Sequence, residues 1–145
     1  VLRARADASP LLHGGQYEFR RYRDSLVMMA PLPPAPKAAI AWDGAGALEL
    51  PSGCGRLLSS ARRPLNLSIR FPRGGEKLKP QGDRHTRTLK QLFQEAGVPP
   101  WERERTPLIY RGDELLCVGD RWPGAAWAAE QKRGRFRIRW ERAAA

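Results

Sequence analysis

Segment 74–93 (GGEKLKPQGDRHTRTLKQLF) holds the side chains of this sequence that could do chemistry. Glu76, Asp83 and His85 lie within ten residues, and a histidine beside a carboxylate can act in acid–base catalysis, for example in a stand-alone hydrolase. Carboxylates among lysines more often balance charge, and a single exposed histidine is usually only a surface residue. The motifs GxGxxG, GxxxxGKS/T, GxSxG and HExxH are absent. We therefore predict no catalytic residue and no metal site.

The same segment could instead bind phosphate. Gly74 and Gly75 form a doublet whose backbone N–H groups could approach a phosphate, although turn chemistry alone favours a plain tight turn. Five cations follow with few carboxylates between them, namely Lys77, Lys79, Arg84, Arg87 and Lys90. A run of charge is commonly a solvated surface, but scarce carboxylates predict that these cations are not neutralised by salt bridges. We therefore favour binding of a polyanion.

The charge of the whole chain agrees with a polyanionic partner. Its 145 residues include 26 Lys and Arg against 15 Asp and Glu, which gives a net charge of +11 and a pI of about 10.8. The excess lies after residue 60, since 61–105 has eleven basic and five acidic residues and 106–145 has eight and five. Nucleic acid suits this charge, although a membrane surface would also fit the number.

The remaining composition predicts the compartment. No apolar run approaches the roughly 18 residues of a membrane span, and the opening VLRARADASP lacks a signal peptide's hydrophobic core, so we expect a cytoplasmic protein without a membrane partner. Cys54 and Cys117 lie far apart, which predicts reduced thiols rather than a zinc site or a disulfide framework. Because the chain begins inside a helical pattern without a cap, we expect a piece of a longer protein.

One helix is needed to position the cations of segment 74–93. Its apolar stripe has helical spacing and consists of Leu89, Leu92, Phe93 and Ala96. Thr86 can cap the start, and Gly97 followed by two prolines ends it, so the pattern predicts a helix at about 86–96. Trp101 could stack on a base, but burial beside the next turn is the more common fate of a tryptophan.

Strands make up most of the other elements. The runs QYEFRRY and SLVMMA flank a turn at 23–25, and PLPPAPK at 31–37 predicts an extended linker at a domain boundary. From 38 to 71 the glycine-separated runs AIAW, ALELP, RLLSS and NLSIRF predict short strands, and PLIYRGDELLCVGD predicts a hairpin turning at Gly112–Asp113. These patterns predict a strand-rich fold with one main amphipathic helix.

The run RGRFRIRWER at 133–142 predicts a last strand with a cationic face. Arg135, Arg137 and Arg139 alternate with apolar residues, and successive arginines on such a face lie roughly 6.6 Å apart, comparable to phosphate spacing along a strand of nucleic acid. The alternative is an edge strand protected against aggregation by its charge. We treat the three arginines as a secondary basic face.

The motifs RFPRGGEKLKP, TLKQLFQEAGVPPW and RTPLIYRGDEL, in this order, resemble the C-terminal domain of bacterial tRNA(Ile)-lysidine synthetase over about 67–122. Upstream, YEFRRYRDSL is similar to the end of that family's middle domain. The resemblance implies that residues 1–30 end the middle domain, that 31–37 are the linker and that 38–145 are a tRNA-binding domain. It also implies a sandwich-like α+β fold, similar to a module of the phenylalanyl-tRNA synthetase β-subunit. Pro72, and ERER after Trp101, depart from the family pattern.

The family attaches lysine to the wobble cytidine of tRNA(Ile) with a CAU anticodon and uses ATP with Mg. The resemblance implies that ATP and lysine bind an N-terminal domain whose SGGxDS loop is absent here, so we expect no cofactor and no catalysis in this chain. It also implies a grip on the acceptor-stem side of tRNA, and a homodimer stays open. The implied contact residues are Arg73, Gly74, Gly75, Lys77, Lys79, Arg84, His85, Arg87, Lys90 and Arg103. A stand-alone basic RNA- or ribosome-binding module is the alternative.

Overall fold

The computed structural model describes residues 11–14, 17–29 and 31–142, with short antiparallel strands and three helices in this part of the chain. In chain order the elements are β1 (Leu11–Gly14), β2 (Tyr17–Tyr22), β3 (Ser25–Met29), β4 (Ile40–Trp42), β5 (Gly46–Glu49), β6 (Arg56–Ser59), β7 (Leu67–Arg70), β8 (Lys77–Leu78), β9 (Arg87–Thr88), α1 (Leu89–Glu95), α2 (Pro100–Arg103), β10 (Leu108–Arg111), β11 (Glu114–Val118), β12 (Trp122–Pro123), α3 (Ala125–Gly134) and β13 (Ile138–Glu141).

A five-stranded antiparallel sheet in the order β12-β11-β10-β7-β4 is the centre of the fold. The alternation predicted for 66–71 is confirmed, because Leu67, Ile69 and Phe71 are buried while the residues between them are not. Ile109 of β10 lies opposite Ile69, and Ile69 lies opposite Ile40 on β4, so one apolar row crosses three strands. This row faces the main core.

The main core lies between this sheet and a second one. The second sheet has the order β13-β6-β5, and α3 contributes Trp127, which is 1% exposed. The buried cluster consists of Trp42, Leu50, Cys54, Leu57, Leu67, Ile69, Phe71, Ile109, Leu116, Cys117, Trp127 and Ile138. Two sheets that enclose one core confirm the sandwich-like α+β prediction. The likeness to a phenylalanyl-tRNA synthetase module stays a prediction.

A smaller core covers the other face of the five-stranded sheet. There β8 and β9 pair as a two-stranded ribbon, and α1 packs beside it. The buried cluster consists of Leu78, Leu89, Phe93, Leu108, Tyr110 and Val118. Strand β10 is therefore buried on both faces, and the segment that carries most of the predicted cations is fixed to the centre of the fold.

Helix α1 begins later than predicted. Thr88, not Thr86, is its N-cap, because the Thr88 hydroxyl accepts a hydrogen bond from the Gln91 N–H at 3.1 Å while the Gln91 side chain accepts from the Thr88 N–H. The predicted end is correct. Gly97 follows with φ of 70°, and the Val98 N–H donates to the Phe93 carbonyl at 2.9 Å.

Helix α3 was not predicted, and it changes the end of the chain. Its ten residues include Gly134, and Arg135 follows in the left-handed conformation with φ of 51°. The strand predicted over 133–142 is therefore wrong for its first residues, because β13 begins at Ile138. Only Arg137 and Arg139 continue the predicted alternation, and Arg135 belongs to the helix end.

The hairpin before the linker contacts the two short helices. β1, β2 and β3 form a meander that turns at Arg23–Asp24, as the sequence predicts, and residues 31–39 have no regular structure. Tyr22 meets the Trp101 ring edge-on at 6.2 Å, the Arg103 guanidinium donates to the Tyr22 hydroxyl at 3.1 Å, and Arg23 donates to the Gln94 carbonyl at 2.8 Å. We call these contacts the clasp.

Trp101 is 4% exposed and meets Tyr22 in the clasp, so the prediction that this tryptophan is buried is confirmed. The helical pattern predicted at the start of the chain lies outside the described residues. In the part of the chain that the structure describes, no helix is long and apolar enough to cross a membrane.

Candidate nucleic-acid interface

The β8–β9 ribbon presents Lys77 and Lys79 to solvent. Leu78 between them is 5% exposed and belongs to the smaller core, so the two lysines on either side of it project away from that core. Lys77 pairs with Thr88 across the ribbon, and Pro80 is bridged to Gly124. The buried leucine and the bridge fix the backbone from which both ammonium groups extend.

The loop from 81 to 86 and the start of α1 add further cations. Arg84, His85 and Lys90 are exposed, and the His85 N–H donates to the Asp83 carboxylate at 3.1 Å, which closes the loop. Among the described residues, Lys77, Lys79, Arg84 and Lys90 take part in no ion pair. We call these four residues the basic ribbon cluster.

Arg87 differs from that cluster and contradicts the prediction of unpaired cations. Its Nε contacts Asp83 at 2.5 Å and its Nη1 contacts Glu95 at 2.5 Å. The hydrogen bond from the His85 N–H and then the bond from Arg87 hold the pKa of Asp83 below its ordinary value, and Asp83 in turn raises the pKa of Arg87. Arg87 therefore joins β9 to the loop and to α1, and two carboxylates already neutralise it.

The glycine doublet is a turn, with φ of 111° at Gly74 and 84° at Gly75. The Gly74 N–H is not free, because the carboxylate of Glu76 accepts from it at 3.0 Å and from the preceding Arg73 N–H at 2.8 Å. A phosphate that approached these two amides would have to displace Glu76. Of the two interpretations of the doublet, the structure agrees with the plain turn.

Arg73 and Arg103 have structural partners. Arg73 donates to the carbonyl of Lys37 at 2.7 Å and so binds the linker to the glycine turn. Arg103 donates to the carbonyl of Val98 at 2.6 Å and to Tyr22, and it is partly buried. Carbonyl and hydroxyl partners leave the positive charges of both residues uncancelled.

The three arginines of the secondary basic face do not share one strand, because the first follows α3 and only the last lies within β13. Arg135, Arg137 and Arg139 are exposed. Arg137 and Arg139 line an open groove of about 600 Å³ together with Lys132. Gln81 also lines this groove, so the groove adjoins the loop of the basic ribbon cluster.

The residues considered for acid–base catalysis have other roles. Glu76 binds the glycine turn and Asp83 binds Arg87, as described above. The hydrogen bonds of the described residues include none between the His85 ring and either carboxylate. No group of three or more His, Cys, Asp or Glu in the described ranges could hold a metal ion.

Sequence reasoning missed several arginines that stack on aromatic rings. The Arg70 guanidinium lies 4.3 Å from the Tyr110 ring centre and also donates to the Gly112 carbonyl. Arg121 lies 4.8 Å from the Trp122 ring and Arg142 lies 4.6 Å from the Trp140 ring. For the last two, the signal available in the sequence is an arginine one or two positions from a tryptophan.

The fold and its surface define an α+β sandwich domain with an exposed basic ribbon. Residues 67–140 match the sequence model of the family described as the TilS substrate C-terminal domain, and the chain belongs to this family. The structure is similar to a solved structure titled "Crystal structure of TILS C-terminal domain", with a TM-score of 0.54 and 24% identity over 73% of this chain and all of that one. At this identity the likeness shows the fold.

Curated relatives extend the match over almost the whole chain. A tRNA(Ile)-lysidine synthase of Serratia proteamaculans is 35% identical over 98% of this chain and 34% of its own length. The enzyme of the same name from Edwardsiella ictaluri is 36% identical over 81% of this chain and 28% of its own length. The enzyme of the same name from Xylella fastidiosa is 34% identical over 97% of this chain and 34% of its own length. The chain therefore spans about a third of the length of these relatives.

Proposed function

We propose that this chain is the part of a tRNA(Ile)-lysidine synthase that holds tRNA through its acceptor-stem side. The complete enzyme would use ATP to attach lysine to the wobble cytidine of tRNA(Ile) with a CAU anticodon, at a catalytic domain outside this chain. In this proposal residues 1–30 end the middle domain, 31–37 link the two domains, and 38–145 bind the tRNA.

The basic ribbon cluster is the observation that carries the proposal. Four cations lie within fourteen residues, they have no carboxylate partner among the described residues, and the smaller core fixes the backbone beneath them. Because no internal salt bridge has to be broken, each cation can contact a phosphate at little cost. Such contacts position a double-stranded stem without reading its sequence, since A-form RNA is recognised mainly through shape and backbone.

A competition experiment tests this function. The chain is bound to labelled tRNA(Ile) transcript at fixed salt, and unlabelled competitors are added: the same tRNA, an acceptor-stem minihelix, and an unrelated RNA duplex of equal length. We expect the minihelix to compete more strongly than the unrelated duplex. Equal competition by the two duplexes would contradict the acceptor-stem assignment and favour a general basic RNA- or ribosome-binding module.

A further inference from the structure

A cavity of about 270 Å³ adjoins the smaller core, because Phe93 and Val118 of that core line it. Its walls come from distant parts of the chain, including Met29 of the hairpin, Leu32 of the linker and Trp101 of α2. Trp122 and Trp140 also line it and are only partly buried. None of the four residues of the basic ribbon cluster lines this cavity.

The two partly buried tryptophans are held in place by the fold. Trp140 donates its indole N–H to the Cys54 carbonyl at 2.8 Å, and its backbone N–H donates to Asp120 at 3.1 Å. Trp122 meets Phe93 edge-on with ring centres 5.7 Å apart. Fixed indoles lose little conformational freedom when a flat group stacks on them, so they suit the binding of a planar ligand.

Each of these tryptophans carries an arginine. Arg121 lies against Trp122 and Arg142 lies against Trp140, and both guanidinium groups are exposed and line the cavity. Arg105 also lines it, but Arg105 is already ion-paired with Glu104 at 2.8 Å. Arg121 and Arg142 therefore remain for an anionic ligand, and Glu102 and Asp120 are the carboxylates of the lining. Aromatic rings with arginines beside them are the usual platform for an unpaired base, because the base stacks while the arginines contact its phosphate.

We propose that this cavity binds an unpaired nucleobase together with its phosphate, supplied by a single-stranded segment of the RNA that the basic ribbon cluster holds. The inference rests on the proposed function and extends it from the stem to an unpaired nucleotide. The volume is close to the lower end for small-molecule pockets, which agrees with one nucleotide and not with a long segment. The exposed guanidinium groups of Arg121 and Arg142, each over an indole ring, favour a ligand that joins a flat ring to a negative charge over an apolar side chain of another protein.

Indole N–H resonances test the proposal, because three of the five tryptophans line the cavity and the other two lie in the main core. AMP and CMP are titrated to millimolar concentration into the 15N-labelled chain, and single Trp→Phe variants assign the five signals. We expect the signals of Trp122 and Trp140 to shift and those of Trp42 and Trp127, which lie in the main core, to stay. Ribose 5-phosphate at equal concentration should shift none of them, since it lacks the base.

The double variant Arg121→Gln, Arg142→Gln should weaken nucleotide binding about tenfold. The control, Arg62→Gln with Arg63→Gln, removes the same charge from an exposed loop outside the cavity and should leave it unchanged. Absence of shifts with both nucleotides, equal loss in the two double variants, or shifts with N-acetyl-leucine amide in place of the nucleotides would overturn the proposal. If the nucleotide titration fails but the acceptor-stem minihelix still competes more strongly than the unrelated duplex, the proposed function stands and only the cavity proposal is wrong. If the nucleotides bind as expected but the two duplexes compete equally, only the proposed function is contradicted.

Discussion

Replacing three lysines of the basic ribbon cluster should reduce the salt dependence of RNA binding by a calculable amount. The variant is Lys77→Gln, Lys79→Gln, Lys90→Gln. All three side chains are exposed and none takes part in an ion pair among the described residues, so the substitutions should leave the fold unchanged. What they remove is up to three contacts with phosphate.

Counterion release gives the magnitude. Each phosphate contact contributes roughly 0.9 to the slope of log affinity against log salt for a duplex, so three contacts contribute about 2.7. When the salt is raised from 50 to 200 mM, the factor by which the affinity falls should be about 40 times larger for the unmodified chain than for the variant.

Fluorescence anisotropy of a labelled acceptor-stem RNA at four or five salt concentrations measures both slopes. The matched control is Arg62→Gln, Arg63→Gln, Arg133→Gln, which removes three exposed cations elsewhere on the surface. The control slope should remain close to that of the unmodified chain. An equal fall in both variants would mean that the RNA responds only to net charge, and the reasoning from the ribbon would be refuted.

Three further predictions concern the fold. Thr88→Ala removes the cap of α1 and should lower the free energy of unfolding by about 1 kcal/mol in urea titrations, whereas Thr86→Ala should have almost no effect. Glu130→Gln breaks the two-bond pair with Arg111, whose hydrogen bond lowers the Glu130 pKa; it should cost no more than about 1 kcal/mol at pH 7, since both side chains are partly exposed. Because a lowered pKa stabilises the fold only while the carboxylate is charged, that difference should start to shrink as the pH falls below the ordinary glutamate pKa of about 4.3 and should be lost once acid protonates the folded carboxyl group. A difference that does not change between pH 7 and acid would contradict this cause. Burial raises the pKa of Cys117 to about 12, so a thiol reagent at pH 8 should label Cys117 only after unfolding; rapid labelling of the folded chain would be inconsistent with its burial.

The sequence predicts best those elements whose pattern is local. The period-two run at 66–71 and the turn at Gly112–Asp113 specify strand and hairpin without knowledge of the neighbours. Helix α3 is different, since its sequence AAWAAEQKRG has a single large apolar residue and therefore no stripe. Trp127 is the side chain that α3 buries in the main core, and only the assembled sheets provide the space that this side chain fills.

The candidate site was predictable in position but not in detail. Exposure of Lys77, Lys79, Arg84 and Lys90 agrees with the charge pattern. The partners of Arg87 include Glu95, eight residues away on the next element, and folding is what brings them together. The role of Glu76 also depends on geometry, because the glycine turn has to fold back before two amides can meet its carboxylate.

The clasp has a mechanical consequence. Tyr22 and Arg23 join the hairpin directly to α2 and to the end of α1. Mechanical force on the hairpin can therefore reach the helices through these contacts as well as through the proline-rich segment. A load on the hairpin would reach the helix whose first turn adjoins β9, and with it the lysines beside that strand. Conversely, a force applied to RNA bound by those lysines would be transmitted through the clasp to the hairpin, without first extending the proline-rich segment.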